Sequence, residues 1–279
     1  MQAYPTRDAY LEDKRRWVLD RRREGVEGHF RAQALALPLP PSFHDALRVP
    51  RAEVALVAEL RRPCEANGRW DVAAEVKRWE EQGATAVAVP TCALQGLGSY
   101  EDVLAAAQAS SLPVLCQDMV LDPLQVTLAR AHGAAAVVLV AEVLEERELR
   151  ALYRYAVELG LEVVVEVRSA LEITWVRKVR LGPSEMSGVR IFVVAPSHWE
   201  ATPHAPQEYA TLSEKLIEVM PDYAIPLVAL PPALASQQVR LHGAGYEGFL
   251  VQTLDVCPDG AHHDLPKVPA SLARISGEH

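Results

Sequence analysis

Two short stretches set a carboxylate and a guanidinium two residues apart behind apolar runs: Glu59-Leu60-Arg61 after Val54–Ala58, and Glu166-Val167-Arg168 after Leu161–Val165. Residues two apart on a strand share a face, so each pair projects to one side. Paired carboxylates can serve as general acid and base near neutral pH when their surroundings tune them. Arginine, with a pKa above about 12, stays charged and cannot. Glu59 and Arg61 therefore read either as a structural ion pair closing an interior or as a binding pair for a polar ligand. Glu166 reads as a base or as a buried partner of Arg168 or Arg61. Gln117, in Leu115-Cys116-Gln117-Asp118-Met119, adds an amide that can hydrogen-bond but not give up a proton.

Other reactive side chains carry less. Cys64, Cys92 and Cys116 fall near the ends of the first three strand-like runs, and Cys257 lies in the tail. Cys116 precedes an inward Gln117, so alternation turns it toward the helices and away from any shared metal. Free buried cysteines behave as small hydrophobes. His198, His204, His262 and His263 sit in loops or the tail without metal-ligand spacing. His198 and Trp199 follow the sixth strand-like run, where they could shape a ligand pocket. There is no G-x-G-x-x-G, Walker loop, G-x-S-x-G or H-E-x-x-H, so neither metal nor cofactor is expected.

The elements that must hold these residues alternate. Strands are expected at 54–60, 85–90, 112–116, 135–140, 161–167, 189–194, 225–230 and 247–251, nearly continuous apolar runs suited to a parallel sheet covered on both faces. Helices are expected at 71–82, 100–110, 123–132, 145–159, 169–180, 206–219 and 233–243. Gly83, Gly133, Gly160 and Gly245 each close a helix and launch a strand. A module of about 25 residues is the period of a strand and its crossover helix, and such modules close into a barrel. Residues 7–35 read as one charged amphipathic helix with Leu11, Trp17, Val18 and Val26 on its apolar stripe. Leu37-Pro-Leu-Pro-Pro41 ends it, and Ser42 caps a short helix after that. The fold class is α/β, a single (β/α)8 TIM barrel: residues 1–50 form a helical extension, 51–279 the barrel and a short tail.

A chain of 279 residues fits one barrel domain. The net charge of −9, from 28 basic and 37 acidic residues, argues against nucleic-acid partners. Four cysteines without paired spacing, no apolar leader and no apolar run of about 18 residues point to a reduced cytoplasmic setting away from membranes.

Ala58-Glu-Leu-Arg-Arg62, Leu115-Cys-Gln-Asp-Met119, Asp122-Pro-Leu-Gln125 and Val165-Glu-Val-Arg168 resemble the motifs of indole-3-glycerol phosphate synthases. The likeness covers most of the chain and fades after about residue 185. It implies a barrel enzyme, a carbon–carbon lyase that closes an indole ring on carboxyphenylamino-deoxyribulose phosphate with loss of carbon dioxide and water. Carried over by position, Glu59 and Glu166 match the family's glutamates on strands one and five. Arg61 and Gln117 stand where it has lysines, and Met119 where it has a phenylalanine. The sixth-strand asparagine region falls on Val194-Ala195-Pro196. The seventh-strand Glu-Ser-Gly falls on Leu230-Pro231-Pro232, and the eighth-strand phosphate loop on Val251-Gln252-Thr253-Leu254.

Three functions follow as expectations. One is a barrel that has lost the family reaction and acts by binding a small molecule at its strand ends, a protein partner or a second copy of itself. Another is an altered acid/base enzyme using Glu59 and Glu166 on a ligand without phosphate. The third is a working synthase whose acid comes from elsewhere, such as a loop lysine.

Overall fold

A computed structural model describes residues 6–50, 53–62, 70–92, 98–179, 188–196, 206–230 and 236–252. Eight parallel strands close on themselves in chain order: β1 Ala55–Glu59, β2 Ala86–Pro90, β3 Val114–Gln117, β4 Ala136–Val140, β5 Glu162–Val167, β6 Ile191–Val194, β7 Ile225–Leu230 and β8 Gly248–Gln252. The β1–β8 ladder from Ala55↔Gly248 to Glu59↔Gln252 makes the closure. The expected TIM barrel is the observed one.

Three helices precede β1: α1 (Arg7–Arg23), α2 (Glu27–Ala36) and α3 (Phe43–Ala46). The single helix expected over 7–35 is broken at Gly25, whose φ of 70° lies in the left-handed region that glycine enters without strain. The break lets α2 turn and lie along α6 (Pro123–Ala131), where Gln33 donates to the Ala131 carbonyl at 3.0 Å. Between strands lie α4 (Val72–Glu81), α5 (Tyr100–Ala109), α6, α7 (Glu146–Glu158), α8 (Ala170–Val176), α9 (Pro206–Ile217) and α10 (Gln238–Ala244).

The caps read from sequence form. Ser42 Oγ accepts from the Asp45 amide at 3.0 Å and Asp71 Oδ1 from the Ala74 amide at 3.1 Å. Asp122 Oδ1 accepts from the Leu124 amide at 2.9 Å, with Pro123 at the first helical position. Each satisfies an otherwise orphaned donor of a first helical turn. α8 stops at Val176, short of the expected 180, and α10 begins at Gln238 rather than 233. No described helix is long and apolar enough to cross a membrane.

Candidate functional site

The strand pairing assigns the side chains that meet inside the barrel. Directly paired residues on parallel strands face the same side, and strand tilt puts the residue at equal height two strands on two positions further along. From Glu59 the pairs run to Ala88 and then Leu115, so Gln117 is level with Glu59. The β3–β4 ladder carried on one residue leads from Gln117 to Val138, and Val138 pairs with Val164, which makes Glu166 level with Gln117. Glu166 pairs with Val193 and that with Leu227, giving Ala229. Ala229 pairs with Leu250 and that with Val57, which returns to Glu59. Four steps of two residues close the ring with a stagger of eight, the shear of this barrel type, in which alternate strands supply each layer.

The face is the inner one. Cys116 and Asp118, on the opposite side of β3, lie against Tyr100 of α5 in the helical layer, and burial followed by the Asp118 charge raises the Tyr100 hydroxyl well above its ordinary pKa. Alternation then turns Gln117 into the barrel. One strand-end layer is thus Glu59, Gln117, Glu166 and Ala229. Glu59 is fully buried and Glu166 is 4% exposed. Pro90 pairs with Gln117 and Val140 with Glu166, so an apolar residue is in register with each of these two. Leu115, Val57, Val164 and Leu227 make the floor beneath, all buried.

Two residues above this layer the arrangement changes. Arg61 turns back and donates from Nε to Glu59 Oε1 at 2.6 Å, with its side chain 22% exposed. Met119, two residues past Gln117, is buried. Arg168 reaches sideways to Glu142, after β4, and to Glu172 of α8. The layer therefore joins Glu59, Gln117 and Glu166 and adds Arg61 through Glu59, while Arg168 is engaged by carboxylates at the rim. His198, Trp199, Pro231, Pro232, Thr253 and Leu254 lie outside the described residues, as do Cys64 and Cys257.

The opposite face of these strand ends is held from outside. Arg62 grips Asp102 of α5 with two hydrogen bonds, Nε–Oδ2 at 2.9 Å and Nη2–Oδ1 at 2.8 Å, and reaches Ser99 Oγ at 3.2 Å. Lys14 of α1, 2% exposed, places Nζ 2.6 Å from both oxygens of Asp118, whose side chain is fully buried. The hydroxyl of Tyr10 lies 2.9 Å from Cys92 Sγ, and Arg7 donates to the Glu142 carbonyl at 2.7 Å. One helix thus touches the chain just past β2, β3 and β4. This role of Lys14 escaped the sequence reading. Its signal was a lysine on the buried stripe, between Tyr10 and Leu11 on one side and Trp17 and Val18 on the other, at helical spacing.

Cys116 is buried, and its Sγ lies 3.6 Å from Thr91 Oγ1. Burial first, then the Asp118 charge, push its thiol up to about 12, against smaller opposing effects of Thr91 and Lys14. It is a protonated packing residue at neutral pH. Among the described residues no three His, Cys, Asp or Glu side chains are grouped to hold a metal. A cavity of about 630 Å³, lined by Leu47, Val49, His242 and Tyr246 among others, opens where strands begin, at the end away from the carboxylates.

The family model for indole-3-glycerol phosphate synthase matches residues 7–189, ending just before β6. An indole-3-glycerol phosphate synthase of Exiguobacterium sibiricum is 38% identical over 170 residues, covering 60% of this chain and 63% of that protein. One from Staphylococcus aureus strain RF122 is 34% identical over 141 residues (50% and 54%), and one from Microcystis aeruginosa is 35% identical over 145 residues (50% and 49%). These alignments span from about half to under two thirds of the relatives' own length. Among solved structures, a mutant tryptophan synthase alpha-subunit from Pyrococcus furiosus superposes with a TM-score of 0.53 at 13% identity, covering 71% of this chain and 86% of that one. A structure described as native KDPGal gives 0.50 at 18% identity, covering 82% and 91%. Both show the barrel alone. From the match over 7–189, the chain belongs to the indole-3-glycerol phosphate synthase family.

Proposed function

We propose that this barrel binds a small polar ligand at its strand-end layer and no longer runs the family's ring closure. The observation that carries the reading is where the lysines are. The sequence holds five: Lys14, Lys77, Lys178, Lys215 and Lys267. Lys77, Lys178 and Lys215 are exposed on the outer helices or just after one, and Lys267 lies outside the described residues. Lys14 alone among the described lysines reaches a strand end, and it does so from outside the barrel with Asp118 holding it on both oxygens. The positions that the resemblance assigns to lysine hold Arg61, paired to Glu59, and Gln117. Loss of one positioned acid typically costs about 10²–10⁴-fold in rate, and here both are replaced.

Phosphate supports the same reading. Barrels of this kind grip phosphate with main-chain N–H groups after strands seven and eight, and Pro231 and Pro232 carry no N–H. The fitting ligand lacks phosphate and offers donors to Gln117 and the carboxylates. A protein partner or a second copy of the chain is the alternative target of a barrel that acts by binding.

The decisive test is turnover. Purified protein incubated with carboxyphenylamino-deoxyribulose phosphate is expected to give no rise in indole fluorescence above background. Turnover near ordinary enzyme rates would overturn the proposal. Thermal shift then separates ligands: the dephosphorylated substrate is expected to stabilise the protein and inorganic phosphate is not, since bound ligand stabilises by mass action.

A second reading has one observation in its favour. Glu59 and Glu166 share a layer with Gln117 and Ala229, and Arg61 pairs with Glu59, an arrangement suited to acid/base work on a non-phosphorylated ligand. Its test is a bell-shaped rate profile abolished by Glu166→Gln.

A further inference from the structure

We propose that Lys14 is a positioning residue for the strand-end layer: working from outside the barrel through Asp118, it sets the direction of Gln117 within. The inference rests on the ligand reading above and names a part of that site.

The physical basis is strand alternation. Gln117 ends β3 and Asp118 follows it at once, so fixing Asp118 on the helix side fixes Gln117 on the inner side. Gln117 needs such help, because its Oε1 is buried without a hydrogen-bond partner of its own. Its direction is set by the backbone, where the Gln117 carbonyl accepts from the Thr91 amide at 3.0 Å and Asp118 follows at once.

Asp118 is held at every oxygen. Oδ1 accepts from Lys14 at 2.6 Å and from the Met119 amide at 2.8 Å. Oδ2 accepts from Lys14 at 2.6 Å and from Gln125 Nε2 at 3.3 Å. Gln125 closes the turn by donating to the Met119 carbonyl at 2.9 Å and accepting from the Leu121 amide at 2.8 Å. Lys14 is the one member of this network that comes from another part of the chain, 104 residues away. Its ammonium is further confined by the Trp17 ring, 5.0 Å from Nζ to the ring centre. Charge-assisted bonds of this kind are the directional ones, and in a site excluded from water they are held in a single geometry.

The test reads Gln117 directly. Its side-chain amide is assigned in 1H–15N spectra by its absence in Gln117→Met, with Gln82 and Gln237 as distant controls. Three variants are compared: Lys14→Met, Lys14→Arg, and Lys14→Met combined with Asp118→Asn. The double variant leaves no unpaired charge and keeps an acceptor for the Met119 amide, so it reports even where Lys14→Met alone fails to fold. The Gln117 signal is expected to move or split in the double variant and to return to its place in Lys14→Arg, with the controls still. An unmoved Gln117 signal in the double variant would overturn the proposal, as would equal movement of the controls.

A second arm measures binding of dephosphorylated carboxyphenylamino-deoxyribulose by calorimetry. Affinity is expected to fall about tenfold in the double variant and to stay within about threefold in Lys14→Arg, the range one directional contact spans. Equal affinity in all variants would overturn the proposal. A Gln117 signal that moves in a protein binding none of this probe would support the positioning role and sink the ligand reading instead.

Discussion

Arg61 folds back on the residue two positions before it, with its Nε 2.6 Å from Oε1 of the fully buried Glu59. A guanidinium placed this way neutralises the layer's first carboxylate and occupies the space above it. That geometry makes the site's charge a property of the pair, and it sets the first expectations below.

Two lysines alone are expected not to bring about ring closure. Arg61→Lys with Gln117→Lys is expected to leave indole formation at background if, as proposed, Pro231 and Pro232, which carry no N–H, have replaced the main-chain donors for phosphate. A fluorescence assay on the double variant checks this, and recovered turnover would place the phosphate grip elsewhere.

Breaking the pair should be felt in stability. Arg61→Met is expected to cost about 2–3 kcal/mol by urea denaturation, since Glu59 loses a charged donor in a buried position. A cost below about 0.5 kcal/mol would mean that water takes the place of Arg61.

The outer clamp should cost more. Lys14→Met leaves Asp118 charged and buried, which is worth about 3–5 kcal/mol, and adding Asp118→Asn is expected to recover a large part of it. Non-recovery in the double variant, read from urea midpoints, would show that the neutral hydrogen bonds around Asp118 do not hold the turn.

Alkaline pH should weaken the fold through its buried acids. The Cys116 thiol and the Tyr153 hydroxyl are both pushed up to about 12, chiefly by burial, from ordinary values of 9.0 and 10.0. Both groups ionise more readily in the unfolded chain. Their contribution is therefore complete below about pH 9 and is lost as pH rises toward 12. Tyr100, Tyr209 and Tyr246 are raised in the same direction by burial. Urea midpoints are expected to fall steadily between pH 9 and pH 11, and a flat profile would contradict this.

Gly98 tests the loop after β2. A Cβ at this position would lie 2.1 Å from the Pro90 carbonyl oxygen, a backbone atom that cannot swing away. Gly98→Ala is expected to cost about 1–3 kcal/mol, the usual penalty of an overpacked position. An unchanged melting temperature would show that the loop has room to shift.

The barrel was legible because its signals are local. Each of Gly83, Gly133, Gly160 and Gly245 takes a positive φ, from 78° to 119°, and ends a helix where the sequence said it would. Caps at Ser42, Asp71 and Asp122 are equally short-range, so strand and helix boundaries there fall within a residue or two. Gly25 carries the same backbone freedom, yet the charged run on both sides hid it, and one expected helix is two.

The site was legible in part. Alternation alone put Glu59, Arg61 and Gln117 inside, but that Gln117 and Glu166 stand level with Glu59 follows only from the ladder registers. Lys14 with Asp118 and Arg168 with Glu142 join residues brought close by the fold, and no local pattern names such partners. Sidechain spacing could show only that position 14 faces inward on its helix.

The closure of β8 on β1 has a consequence for how this chain can be cut. The family match stops at residue 189, but a fragment ending there would hold five strands with β1 and β5 each stripped of a neighbour. Both would then present bare rows of N–H and C=O groups, templates for sticking to other chains. The last third, which the family model does not match, is thus scaffolding for the part it does: its three strands cover the two edges that would otherwise stand open.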